Sequence, residues 1–233
     1  MSREAAGSKV MYFGERIVAI KLRITDMNGQ SLDVMMVSAY APVGASPVEE
    51  REAFLSELGG CEDACGALEV WVVSTDANVS LGTKRDDKCT ALGQWGKSWV
   101  NAAGKLMYEM LAANRLVSCG SFFQRRWKQY NTWFHPCSRM GYTLDHWLVR
   151  RGDLKRVIRC QTDTRLTVDS DHRPVLLTIR ISRRRPGNRL RRPKEGGKGG
   201  GRRADRRILL NPEGKAAFVE AVTTQAKDNY EGT

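Results

Sequence analysis

The chain has 233 residues and lacks several features that would classify it at once. No run approaches the roughly 18 apolar residues that a membrane-crossing helix needs. The first sixteen residues, MSREAAGSKVMYFGER, contain no apolar segment of the kind found in secretory leaders. Histidine is scarce, at three residues. The six cysteines form no set of ligand pairs at zinc spacing, since Cys61-x-x-x-Cys65 has no second Cys or His pair to complete it. These absences argue against a membrane protein, a secreted disulfide framework and a structural zinc module. They favour a reducing, intracellular setting with free and mostly buried thiols.

Charge of one sign is abundant. The formal net charge is +12, which favours polyanionic partners. It is concentrated between Ser182 and Arg207, where twelve Lys or Arg face only Glu195 and Asp205, a net of +10. The remainder is nearly neutral, so the basic character belongs to a tail. Like charge, Gly and Pro with few apolar groups predict a disordered linker over 182–211. Residues 212–233 include PEGKAAFVEAVTTQAKD, which suits a short helix.

The part before the tail is patterned for a core. RIVAIKLRI, beginning at Arg16, alternates apolar and basic side chains as a half-buried strand does. DVMMVSAY follows DMNGQ, which predicts a hairpin turning near Asn28-Gly29. Ser46-Pro47-Val48-Glu49 reads as a capping box that opens a helix carrying Val48, Phe54, Leu55 and Leu58, stopping at Gly59-Gly60. EVWVVS is a short buried strand, residues 80–98 a loop, and Asn101 the cap of a second helix with Leu106, Met107, Met110 and Leu111 inward. RLVSC, YNTWF, YTLDHWLVR, LKRVIRC and RPVLLTIRI then read as strands. Strand–helix–strand passages ahead of a strand-rich part predict a mixed α/β layer architecture.

Polar clusters sit at the ends of these strands. Asp76 and Asn78 close VVSTDANVS; Asp145-His146 lies in TLDHWLVR; Ser170-Asp171-His172 precedes Arg173-Pro174; Tyr40 ends MMVSAY. Strand ends are rigid places for reactive groups. Each cluster has a plain structural alternative: Asp76 and Asn78 as turn residues, Asp145-His146 as a satisfied buried pair, Tyr40 as a core aromatic. Asn78-Val79-Ser80 is also a glycosylation acceptor pattern, disfavoured without a leader. Together, however, the set matches phosphodiester cleavage. Carboxylates hold Mg²⁺, a carboxylate or His deprotonates water, and Asn, Tyr and His donors meet charge on phosphoryl oxygens. His135 and His146 are read as structural.

The order SAYAP, DAN, NAAGKLMYEMLAANRL, FF, TW, LDH and SDHRPV resembles the endonuclease/exonuclease/phosphatase superfamily. Within it the sequence is most similar to the endonuclease domains of LINE-type (non-LTR) retrotransposons and to craniofacial development protein 2-like proteins. The resemblance covers roughly residues 14–181, so the expected domain is 14–181. It implies a four-layer α/β sandwich of the DNase I-like type and a Mg²⁺-dependent DNA endonuclease, with no small-molecule cofactor and no membrane partner. It also implies roles. Tyr40 would contact the scissile phosphate. Asp76 would activate water, and Asn78 would hold the phosphate and Asp76. Asp145 would pair with His172, which would bind a phosphoryl oxygen. Asp171 would sit at the metal, and Thr132-Trp133 would pack beside the site.

The sequence departs from that pattern in two ways. The family's Gly-Asp-Phe-Asn becomes Thr75-Asp76-Ala77-Asn78, so a small cavity is expected where the Phe would pack. The match also begins partway through the family pattern, whose earlier portion carries an Asn and the principal metal-binding Glu. Residues 1–16 offer neither in context, so impaired activity is expected. The alternative from a different class is a catalytically inactive nucleic-acid-binding remnant. It would hold DNA or RNA through the tail, including Arg183, Arg184, Arg185, Arg191 and Arg192, and the same tail makes a nuclear location an expectation. Superfamily relatives that cleave RNA, phosphoinositides or sphingolipids leave the substrate class open.

Overall fold

A computed structural model describes residues 9–25, 29–66, 69–84, 90–165 and 170–180. The chain divides into a unit over Met1–Arg185 and a second over Pro186–Thr233; every described residue lies in the first. The linker and helix expected over 182–233 therefore lie outside the described residues, as do Arg183, Arg184, Arg185, Arg191 and Arg192.

Six strands build the central mixed sheet: β1 (Lys9–Phe13), β2 (Ile17–Thr25), β3 (Ser31–Tyr40), β4 (Val70–Asp76), β5 (Leu116–Ser118) and β8 (Asp145–Arg150). Their order across it is β1-β2-β3-β4-β8-β5. Two shorter strands, β6 (Trp133–Phe134) and β7 (Gly141–Tyr142), pair with each other between β5 and β8 in the chain. The β2–β3 hairpin forms as the alternation predicts, pairing Thr25 with Ser31 and Ile17 with Ala39. The Asn28 half of its expected turn lies outside the described residues. β3 and β4 run parallel, which requires a crossover, and helix α1 (Val48–Gly60) supplies it. The sequence reading does not anticipate β1. It pairs antiparallel with β2 and adds to the sheet residues that precede position 14.

Alternation along the strands makes two cores, one per face. On one face Met35, Val37, Trp71, Val73 and Leu148 meet Phe54 and Leu58 of α1 and Met107 and Leu111 of helix α2 (Ala102–Ala113). Trp71, at 0% exposure, anchors this core. On the other face Val34, Val70, Val72, Val117 and Val149 meet Val157 and Cys160 of β9 (Val157–Thr162), with Val175, Leu177 and Ile179 of β10 (Val175–Ile179) packed alongside. β9 and β10 form their own antiparallel pair.

The two helix starts differ. Asn101 caps α2 as expected, its Oδ1 accepting from Gly104 N–H at 2.8 Å. The capping box at Ser46 does not form. Pro47 occupies the cap position with extended ψ, and no side-chain cap bond is made. The helix begins one residue later than a Ser46 cap requires, and Ser46 N–H is used in a turn to Val43 O. Val48 is consequently exposed, while Phe54 and Leu58 are buried as expected. The helix stops at Gly59-Gly60, as expected. Cys61, Cys65, Cys119 and Cys160 are free and buried; Cys137 is free and exposed.

Candidate active site

The parallel register of β3 and β4 sets Tyr40 directly opposite Asp76. The antiparallel register of β4 and β8 sets Asp76 directly opposite Asp145. Directly opposed residues share a face of a sheet. Three strands thus present Tyr40, Asp76 and Asp145 in one row, on the side of the sheet that β9 and β10 partly cover.

The row is extended by the segment entering β10. Trp133 forms a bridge with His172, Phe134 N–H donates to Asp171 O, and Arg173 N–H donates to Thr132 O at 2.6 Å. These main-chain bonds hold Asp171-His172-Arg173 against β6. His172 Nδ1 then lies 3.0 Å from Asp145 Oδ2, and its Nε2 lies 3.9 Å from Asp76 Oδ2. Since a carboxylate can only accept, Nδ1 carries the proton in this pair. Asp145 fixes the tautomer, and Nε2 faces Asp76.

Asp76 is held from its own strand end. Its Oδ1 accepts from Asn78 N–H at 3.1 Å, closing an Asx turn. Asn78 stands at φ +49°, a left-handed conformation that Asn tolerates better than most residues, and its side-chain amide donates to Ala41 O at 2.9 Å. Burial pushes the Asp76 carboxyl above its usual range, with repulsion from Asp145 and Asp171 adding to it; the Asn78 N–H and His172 oppose the shift. Ionised Asp76 is therefore a stronger base than a solvated carboxylate.

Asp76, Asp145 and His172 form a group whose ligand atoms all lie within 4.8 Å of one another, a spacing able to hold a metal ion. Asp171, expected at the metal, is outside this group. Its Oδ2 accepts from Trp133 Nε1–H at 2.6 Å. The two clustered carboxylates repel, and one is disfavoured by burial, so a cation between them would relieve both costs. A hard divalent ion suits the oxygen donors; the imidazole is the weaker match.

Thr132 has a larger part than packing. Its buried Oγ1 accepts from the main-chain N–H groups of Leu144 and Asp145, at 2.9 and 3.0 Å. One hydroxyl thus aims the start of β8 and its carboxylate. His146, beside Asp145 in sequence, points to the opposite face and is structural as expected. It is buried between Ser118 Oγ and Val79 O, and burial lowers its pKa, favouring the neutral ring. Both departures at the strand end are visible. Thr75 is buried with its hydroxyl unpartnered, and Ala77 borders an apolar cavity of about 20 Å³ with Phe54, Leu55, Val79 and Met107.

The described domain has the fold of the endonuclease/exonuclease/phosphatase superfamily, as its likeness to solved structures shows. Among them is the endonuclease domain of TRAS1, a telomere-specific non-LTR retrotransposon. It is 19% identical with a TM-score of 0.52, over 76% of this chain and 70% of that one. A variant of the 3′ phosphatase NExo from Neisseria, bound to a product DNA hairpin, gives 18% identity and a TM-score of 0.52 over 74% and 72% of the two chains. The Xenopus laevis APE2 catalytic domain gives 16% and 0.50, over 73% and 58%. Among curated sequences, craniofacial development protein 2 of Bos taurus is 22% identical and that of Tragulus javanicus 21%, each over 167 residues. The match takes in 72% of this chain and 27 to 28% of theirs, so the chain spans just over a quarter of the length of those relatives. No protein-family profile matches the chain.

Proposed function

We propose that this domain hydrolyses phosphodiester bonds in DNA with a divalent cation, Mg²⁺ being the ion its oxygen donors suit. The observation that carries the reading is the convergence of Asp76, Asp145 and His172 from three separate segments, with Tyr40 in the same row. The likeness to nucleases supports it, as does the DNA hairpin held by the Neisseria protein. We place the domain in a four-layer α/β sandwich of the DNase I-like type, which the likeness to the TRAS1 endonuclease domain supports.

Asp76 and Asp145 would hold the cation, which supplies charge neutralisation on a phosphoryl oxygen and acidifies water. The chain's own residues do the rest. Asp76 accepts a proton from the attacking water, whose oxygen forms the new bond to phosphorus while the ester oxygen departs. Asn78 keeps Asp76 in place through its N–H. In its imidazolium form His172 donates from Nε2–H to a phosphoryl oxygen, while Asp145 occupies Nδ1–H. The Tyr40 hydroxyl, on an exposed ring, can donate to the same phosphate.

A second reading rests on the +10 segment between Ser182 and Arg207. In it, the chain binds nucleic acid through that segment and does no chemistry; such binding would be independent of sequence and steeply dependent on salt. Supercoiled plasmid with Mg²⁺ separates the two. The enzyme reading expects nicking by the wild type that falls about 100-fold or more in His172→Ala and Asp76→Asn. No nicking by any variant, or equal nicking by all, leaves the binding reading. That reading in turn requires the salt slope to drop when residues 183–207 are deleted.

A further inference from the structure

Beside the phosphate row lies a set of aromatic rings that the hydrolytic reading does not use. Trp127 is 62% exposed and Trp99 55% exposed, while Trp71 is fully buried in the core. The two exposed indoles are not isolated. Trp99 packs edge-on to Tyr142 at 6.1 Å between centroids, Tyr142 lies 5.6 Å from Trp133, and Trp133 lies 6.4 Å from His172. A continuous series of rings therefore leads from the candidate active site to the surface. A depression lined by Trp99, Lys97, Thr132 and Asp145 begins at the Trp99 end of the series; Trp127, Tyr142, Trp133 and His172 do not line it.

Cations are interleaved with the rings. Lys97 Nζ sits 5.6 Å from the Trp127 ring centre and 5.7 Å from that of Tyr142, and donates to Gly141 O. Trp127 is flanked by exposed Arg126 and Lys128. Flat, exposed π-faces alternating with fixed positive charge match a strand whose bases are unpaired: bases stack on the rings while the backbone meets the cations. A paired duplex turns its base faces inward and cannot use them.

Resting on the hydrolytic reading above, we infer that Trp99 and Trp127, with Lys97 between the rings, form a stacking platform for unpaired nucleotides next to the scissile phosphate. The preferred substrate class is then a strand with unpaired bases flanking the cut, such as an overhang or a gap. Trp99 and Trp127 are binding residues and make no contact with the reacting atoms.

The test uses the full chain in EDTA, so that binding is read without cleavage, at one fixed elevated salt that weakens tail contacts. Fluorescence anisotropy compares a labelled single strand of about 12 nucleotides, within the site size of such platforms, the same sequence as a blunt duplex, and an abasic strand of equal length. The wild type should bind the single strand more tightly than the other two. Trp99→Ala and Trp127→Ala should each weaken it roughly ten-fold, and Trp127→Phe, which keeps a ring, should recover most of the loss. Duplex affinity should stay the same in all variants, which also reports that they are folded. Equal affinity of the alanine variants and the wild type for the single strand overturns the platform, as does equal binding of the abasic strand. Strand binding is read in EDTA and nicking in Mg²⁺, so the two readouts are independent. A platform that binds in a protein that never nicks would therefore sink only the hydrolytic reading, and nicking by a protein without ring-dependent binding would sink only the platform.

Discussion

Thr132→Val is the sharpest test of how the site is held together. The substitution keeps the shape of a side chain that is 2% exposed and removes only its hydroxyl. That hydroxyl is the acceptor for both Leu144 N–H and Asp145 N–H. Orphaning a buried donor costs about 1–3 kcal/mol. Leu144 and Asp145 are only half-buried, so water can partly replace the acceptor, and the lower part of the range applies to each. The expected loss is about 2–4 kcal/mol for the pair. For a domain of this size each kcal/mol lowers the melting temperature by about 2–4 °C. Urea denaturation gives the free energy and calorimetry the temperature. Activity should fall further than stability explains, because the freed main chain carries Asp145 and therefore the orientation of His172. A displacement of about 1 Å at such a group can cost a hundred-fold in rate. Thr132→Ser restores the acceptor and should recover most of both losses. A valine variant that melts within about 1 °C of the wild type, with serine no better, would show that Thr132 does not organise β8.

Two further outcomes follow from the strand end. The raised pKa of Asp76 means its ionised form opposes folding, so stability is lost as pH climbs from the ordinary carboxylate range through the raised value. In EDTA, Asp76→Asn should therefore be more stable than the wild type at about pH 7, with the gap closing below about pH 4, where both forms are neutral; an asparagine variant that is less stable at neutral pH contradicts the assigned environment. At Ala77, a valine can enter the adjoining cavity and should stabilise by roughly 0.5 kcal/mol, whereas the family's phenylalanine exceeds the space and should cost about 1–3 kcal/mol. Urea midpoints in the reverse order would mean that the pocket around Ala77 opens freely.

What can be read from the sequence, and what cannot, divides by the range of the interaction. The β2–β3 hairpin, the Asn101 cap and the strand ending in Asp76 are local patterns, and each is present in the structure. The Asx turn from Asp76 to Asn78 spans two residues, and in sequence it looks the same as a plain turn. The capping box at Ser46 misleads because the motif does not reveal whether the chain enters the helix at Ser46 or at Pro47. The ring series and the Thr132 acceptor are not legible at all. Thr132 reaches donors twelve and thirteen residues away, and a threonine in YNTWF gives no sign of where its hydroxyl will point. The Asp145–His172 pairing spans 27 positions and comes only from the family resemblance. The Asp171 carboxylate accepts from the Trp133 indole, a contact that the order of motifs in the sequence does not reveal.

The left-handed backbone at Asn78 has a practical consequence for anyone dissecting this site. Position 78 answers to two demands at once, one from main-chain conformation and one from its side-chain amide. Replacing it with alanine changes both, so a lost activity could not be attributed. Glycine accepts the same φ at no steric cost and keeps the N–H that Asp76 receives, while deleting the amide bonded to Ala41. The glycine and alanine variants together separate the shape of the turn from the chemistry of the amide, two contributions that the residue itself merges.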